Sequence, residues 1–284
     1  MQELKRLAKR TRLLILESLF QAGSGHLAGS LSLSDILVTL YFGGILRYLP
    51  KNPWWERRDR LILSPGHTAP ALYTVLALAG FFEISMLKSL RKLGSPLEGH
   101  PIARSLPGVE ATTGSLGQGI GVACGIAKAL LLKYPEVANF KNPKLKEIKS
   151  PRVFCIISDG ELQEGSVWEA FMFSKTHQLN NILFILDKND IQNSGYTSAI
   201  SKMEPLEKKF MAFGLDCRFA NGHNFESLFH AFENIRLPGI IIAKTTACKG
   251  IGFLENKYEW HAKPLTEEIF LKAKEELSKA IADD

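Results

Sequence analysis

The sequence predicts an α/β fold: a doubly wound, mostly parallel sheet with helices on both faces. Two observations carry this. VFCII at 153–157 and ILFIL at 182–186 are continuous apolar runs of strand length, so both faces of each strand must be covered. The segment between them, with Trp168, Phe171 and Phe173, reads as a helix, and a helix joining two buried strands makes a parallel βαβ unit. Weaker strands at 215–219 and 239–243, with a helix over 225–235 between them, extend the pattern.

The remaining elements follow from spacing and punctuation. A first helix spans 3–21, where Leu4, Leu7, Leu14 and Leu19 recur at near-helical intervals and Gly23 stops it. A glycine-rich turn comes next, and Ser34-Asp35 caps a second helix through Tyr41. RLILS at 60–64 is a short strand running into the loop Pro65-Gly66-His67, and helices resume at 70–79 and around 85–93. Residues 98–114, with Gly99, Pro101, Pro107 and Gly108, form a long loop of the kind that is usually functional, and a glycine-spaced helix begins near Gly117. No internal repeat or interdomain linker is visible, so 1–284 reads as one domain.

Composition narrows the class. At 284 residues and 45% hydrophobic, the chain can bury a large core. The apolar stretch around 69–82 contains Pro70 and Gly80 and falls short of the ~20 residues of a membrane span. The charged N-terminus lacks the apolar centre of a secretory signal, so a cytoplasmic protein is expected. Cys124, Cys155, Cys217 and Cys248 show no C-x-x-C spacing and fit reduced thiols. A formal charge of +6 suits a phosphorylated ligand or an acidic partner. The basic residues are scattered, except for Lys141, Lys144, Lys146, Lys149 and Arg152, which alternate with Asn, Pro and Glu and read as a solvated loop. A nucleic-acid face is therefore not expected.

In parallel sheets the ligand crevice lies beyond the carboxyl ends of the strands. Asp159 follows one central strand and Asn189 the next, about one βα unit later. Each alone has an ordinary reading, as an N-cap or a turn former. Together they offer an anionic and a neutral oxygen, the hard donors that Mg²⁺ takes while substrate phosphates complete its shell. Gly160 lets the backbone approach a diphosphate, and Glu161 to Glu164 open a helix whose N-terminus favours an anion. The glycine loop from Gly114 to Gly121, with Gly117 and Gly119 between, does not match G-x-G-x-x-G, because Val122 takes the last glycine position, and it is no P-loop; it offers backbone N–H groups to a ligand or permits tight helix packing. His26, His67, His100 and His261 sit in loops, three of them directly after glycine, and suggest converging imidazoles that bind polyols or move protons. His177, His223 and His230 are expected to be structural.

These motifs, in this order, resemble the amino-terminal half of transketolases: GSGHLAGSLS at 23–32, LSPGHTAPALY at 63–73, EGHP at 98–101, LPGVEATTGSLGQGIG at 106–121, SDGELQEGSVWEA at 158–170, LDKND at 186–190, KTT at 244–246 and EWHAKPL at 259–265. The resemblance covers the whole chain and implies the diphosphate-binding domain of thiamine diphosphate enzymes. It implies Mg²⁺ on Asp159, the Asn189 side chain and the Ile191 carbonyl. Gly160, Glu161, His67, Gly114, Ser115 and Leu116 would lie at the cofactor, and His26, His100 and His261 at the sugar, with His261 also at the cofactor. Glu164 and Glu169 match glutamates near the contact between paired sites. The implied activity is transfer of a two-carbon ketol unit from a ketose phosphate to an aldose phosphate.

A full transketolase is more than twice this length. The resemblance therefore implies a partner chain carrying the pyrimidine-binding and carboxy-terminal domains, in a two-plus-two heterotetramer with cofactors at subunit junctions. Four places depart from the family pattern: Leu27-Ala28, Pro65, Ser158 and Ala262. A different two-carbon transfer and a non-catalytic subunit are the alternatives within this reading.

Overall fold

The computed structural model describes residues 1–137 and 142–282. Helix α1 (Gln2–Ala22) ends where Gly23 turns left-handed and its N–H caps the carbonyls of Leu19 and Phe20. The stretch expected as a glycine-rich turn is largely helical: α2 (Leu27–Ser32) follows His26 and leads through Leu33 into α3 (Ser34–Phe42). Every residue of α2 is buried, so tertiary packing overrides the low helix propensity of Gly29, Ser30 and Ser32. Strand β1 (Arg60–Leu63) passes through a 3₁₀ turn into α4 (Ala69–Leu78). Where a helix is expected at 85–93 there is a 3₁₀ turn over Ile84–Ser89, and the chain breaks at Arg91 and Gly94, both left-handed. After the 98–114 loop, which carries no regular element, comes α5 (Gln118–Lys133).

The second half supplies β2 (Val153–Ser158), α6 (Gly165–Thr176), β3 (Ile182–Lys188), and a small hairpin of β4 (Ile191–Gln192) and β5 (Gly195–Tyr196). Then follow α7 (Thr197–Ile200), α8 (Leu206–Ala212), β6 (Asp216–Asn221), α9 (Phe225–Asn234), β7 (Gly239–Lys244) and α10 (Glu267–Ala282). The main sheet has the order β1-β2-β3-β7-β6, and every pair in it is parallel.

The chain steps from β1 to β2 to β3, skips a place to β6, and returns to β7. Right-handed crossovers then place α9 on the face opposite α5, α6 and α8. Side chains agree. Trp168 of α6 stacks on Phe210 of α8 with ring centroids 5.8 Å apart, and Phe171 meets Phe184 of β3 edge-on. On the other face Phe225 of α9 joins Leu4 and Ala8 of α1 and Val38 of α3. The apolar runs of β2 and β3 are fully buried, as their unbroken hydrophobicity requires. Their register pairs Ser158 with Asp187, so the two strands finish side by side at their carboxyl ends.

A further expectation is corrected. The basic segment before β2 is not wholly solvated: Lys146 and Lys149 are exposed, but Arg152 is 7% exposed. It pairs with Asp59 at 2.6 Å, and Arg47 approaches the same carboxylate at 2.7 Å. Lys141 lies outside the described residues. Burial pushes the Asp59 carboxyl up, but Arg152 and Arg47 outweigh it and hold the group below its ordinary value. Periodicity gives no sign of this because Arg152 lies among surface-type residues. The four cysteines are free, and among the described residues no helix is long and apolar enough to cross a membrane. Asp59→Ala strands two arginines, one of them buried, and is expected to cost about 3–5 kcal/mol, read as a lower urea midpoint with unchanged slope.

Candidate active site at the strand ends

Asp159 leaves β2 and caps a 3₁₀ turn over Gly160–Gln163. Its Oδ1 accepts from the Gly160 N–H at 2.9 Å and its Oδ2 from the Asp190 N–H at 2.5 Å, so the carboxyl joins the ends of β2 and β3. The N-cap reading and the ligand reading of Asp159 thus describe one placement. Asn189 is buried, and its amide nitrogen donates to Asp187 Oδ2 at 3.1 Å while its oxygen accepts from the Ile191 N–H at 3.1 Å. Asp187 is itself held by the hydroxyls of Ser32, at 2.6 Å, and Thr245. Because Asp187 takes the nitrogen, the amide oxygen is the atom left for a cation.

Electrostatics at this point favour a cation. Burial, and then the neighbouring Asp187, push the Asp159 carboxyl up to about 8. Burial also raises Asp187, although Ser32 and Thr245 oppose it. The nearby lysines do not pair with Asp159: Lys188 reaches Asp190 at 2.5 Å, and Lys244 also contacts Asp190. The Asp159 carboxyl, the Asn189 amide oxygen and the Ile191 carbonyl would offer oxygens of the kind a hard divalent ion takes. The residues fit the implied group. Among the described residues no group of three His, Cys, Asp or Glu side chains is arranged to hold a metal ion by itself.

Beside Asp159 lies a cavity of about 370 Å³. It brings together His26, His67, His100, His261, Gly114, Leu116, Asp159, Gly160, Asn189 and Ile191, drawn from seven separate stretches of sequence. The rings of His26 and His67 are 4.8 Å apart, those of His26 and His261 5.4 Å, and those of His67 and His261 5.6 Å. His100 packs over Gly114, where an added Cβ would lie 3.0 Å from its ring. Burial lowers His26 to about 4 and His67 to about 3, assisted by repulsion among the imidazoles, and also lowers His100 and His261. All four are neutral at pH 7. The Nδ1 of His26 is buried without a partner, which a ligand in the cavity would relieve. His223, expected to be structural, has Nδ1 2.6 Å from Asp35, and its Nε2 accepts from the Thr246 N–H.

Two expected residues are placed differently. Ser115 is exposed and does not line the cavity. Glu161 is fully buried behind the wall, its carboxylate turned to Ser64, Gly117 and Ser158. The segment Glu161 to Glu164 does not open an α-helix; the 3₁₀ turn intervenes, and α6 begins at Gly165. Glu164 lines the cavity and Glu169 is exposed on α6. Of the unusual positions, Pro65 and Ser158 line the cavity, whereas Leu27 and Ala28 are core. Gln163 and Gln192, joined at 2.5 Å, line it too and were not anticipated. Asp187 was also missed, although a lone acid near the end of an apolar strand, two residues before Asn189, is a readable signal.

Stability should carry the mark of the neutral histidines. A histidine lowered in the folded state adds stability that is fully present above its ordinary value near 6.5 and is lost as pH falls toward the folded value, about 4 for His26. Asp159, raised in the folded state, acts with the opposite sign, so wild type alone mixes the two. Comparing denaturation midpoints of wild type and His26→Asn removes that overlap. Wild type is expected to lose stability relative to the variant between pH 6.5 and 4; parallel profiles would contradict a neutral, buried His26.

The comparisons with known proteins agree with this geometry. The family described as "Transketolase, thiamine diphosphate binding domain" matches residues 4–280. The chain is 39% identical over 281 residues to the 6-deoxy-6-sulfo-D-fructose transketolase subunit SqwG of Clostridium sp. (strain MSTE9), covering 98% of this chain and 97% of that one. It is 40% identical over 266 residues to the transketolase of Homo sapiens, covering 93% of this chain but 40% of the human protein. The crystal structure of transketolase from Campylobacter jejuni superposes with a TM-score of 0.86 at 36% identity, over 98% of this chain and 43% of that one. The chain thus spans nearly the full length of a transketolase subunit and well under half of the single-chain enzymes, and it belongs to the transketolase family, in its thiamine diphosphate-binding domain.

Proposed function

We propose that this chain is the diphosphate-binding subunit of a two-chain transketolase, which transfers a two-carbon ketol unit from a ketose phosphate to an aldose phosphate. The observation that carries the reading is the meeting of Asp159, Asn189 and Ile191 with four neutral histidines in one cavity. Asp159, the Asn189 amide oxygen and the Ile191 carbonyl would hold Mg²⁺ and through it the diphosphate. When bound, thiamine diphosphate supplies the carbon nucleophile that the reaction needs and no side chain offers.

The protein's own residues hold and orient the sugar. A neutral imidazole offers one donor and one acceptor, so His26, His100 and His261 can each grip a hydroxyl and take or return its proton near neutral pH. The Arg91 charge is felt at both His26 and His100, helps keep them neutral, and favours an anionic sugar.

A partner supplying the pyrimidine-binding half is supported by the relative of matching length, itself a transketolase subunit. Self-association is supported by an apolar surface on α5 and α6. Val122 is 42% exposed, Leu132 73%, Met172 49% and Phe173 39%, beside Gly121 and Gly125, which have open space above them. A cytoplasmic two-plus-two assembly accommodates both contacts.

Purifying the chain alone and together with its partner tests this reading. Ketol transfer is expected only from the pair, with thiamine diphosphate and Mg²⁺ present. Asp159→Ala is expected to weaken cofactor binding by ~100-fold. Full transfer by the isolated chain would contradict the two-chain reading.

A further inference from the structure

We propose that Glu161 is a positioning residue that clamps the cofactor cradle from behind, fixing the glycine loop 114–117 against the ends of β1 and β2. The inference rests on the proposed function for the identity of the bound group, but its geometry stands on this chain alone.

Glu161 is 0% exposed, does not line the cavity, and has no ion-pair partner among the described residues. Its Oε1 accepts from the Ser64 hydroxyl at 2.5 Å and from the Gly117 N–H at 2.9 Å, and its Oε2 accepts from the Ser158 N–H at 3.1 Å. Those donors belong to three segments that all reach the cavity wall. Ser64 ends β1 and precedes the turn that carries His67. Gly117 closes the loop whose Gly114 and Leu116 line the cavity, and Ser158 lines it and precedes Asp159.

A buried carboxylate with no basic partner is costly unless neutral or polar donors surround it. Here three donors do, and each belongs to a segment that contributes to the cavity wall. The same segments are pressed together so closely that glycine is required. A Cβ on Gly66, just after β1 and Ser64, would lie 2.7 Å from the Gly114 nitrogen. A Cβ on Gly119 would lie 2.6 Å from Ser64 Oγ and 2.7 Å from its Cα. Thr113 Oγ1 adds a bond to the Leu63 carbonyl at 2.7 Å. Glu161 therefore sits where the glycine loop, β1 and β2 converge, and the cradle's shape follows from how it holds them.

The variant Glu161→Gln keeps the size but places an NH₂ where the wild-type carboxylate accepts, so one donor must turn away. The expected result, with the chain assembled with its partner, is about tenfold weaker binding of thiamine diphosphate with Mg²⁺. Faster amide hydrogen exchange over 114–118 is expected alongside, at a melting temperature close to that of wild type. Ser64→Ala, which removes a single donor, should show the same signs more weakly and serves if Glu161→Gln does not fold. Unchanged affinity, or weakened affinity with unchanged exchange over 114–118, would overturn the proposal. Failure of the wild-type assembly to bind thiamine diphosphate would instead strike the functional reading, so the two failures are distinguishable.

Discussion

Two carboxyl groups, Asp159 and Asp187, meet at the ends of adjacent strands where water has little access. The parallel register forces them together: Ser158 is level with Asp187, and Asp159 stands one residue beyond. Asp187 is committed to Ser32, Thr245 and the Asn189 amide. Asp159 receives only backbone N–H groups, and the two lysines nearby are turned to Asp190. Among the described residues no basic side chain pairs with Asp159, and the Asn189 oxygen beside it accepts from the Ile191 N–H. The cavity, the histidines and the glycine loop are arranged around that point.

The histidines show a complementary use of burial. The environment that raises a carboxyl lowers an imidazole, so one apolar setting yields a site for a cation and a set of neutral donors and acceptors beside it. Their positions come from separate elements: His26 at the start of α2, His67 in the turn before α4, His100 in the long loop, and His261 after β7. In an open parallel sheet, segments beyond the strands' carboxyl ends share one crevice, and these four converge there.

Much of this was legible in the sequence, for identifiable reasons. The strands at 153–157 and 182–186 stood out because burial on both faces leaves an unbroken apolar run, and Asp159 and Asn189 stood out because they follow the carboxyl ends of those runs. The four site histidines were legible through their loop and glycine settings. Other features depend on contacts between residues far apart. Glu161 looked like a residue beside the diphosphate because of its place after Asp159-Gly160; only the fold turns its side chain toward Ser64, 97 positions away. Arg152 looked like one more surface cation until Asp59, 93 positions away, was brought against it. The helix α2 was obscured because glycine and serine are poor helix formers, and its burial is a property of the surrounding core.

The central claim is that the buried Asp159 carboxyl, pushed up to about 8 by burial and by Asp187, would give up its proton to a divalent cation. Calorimetry of Mg²⁺ and thiamine diphosphate binding at pH 7, repeated in buffers of different ionisation heat, counts the protons exchanged. The account predicts release of up to ~1 proton per site, lost in Asp159→Asn. Binding heats that do not depend on the buffer, or a release that persists in the variant, would contradict it.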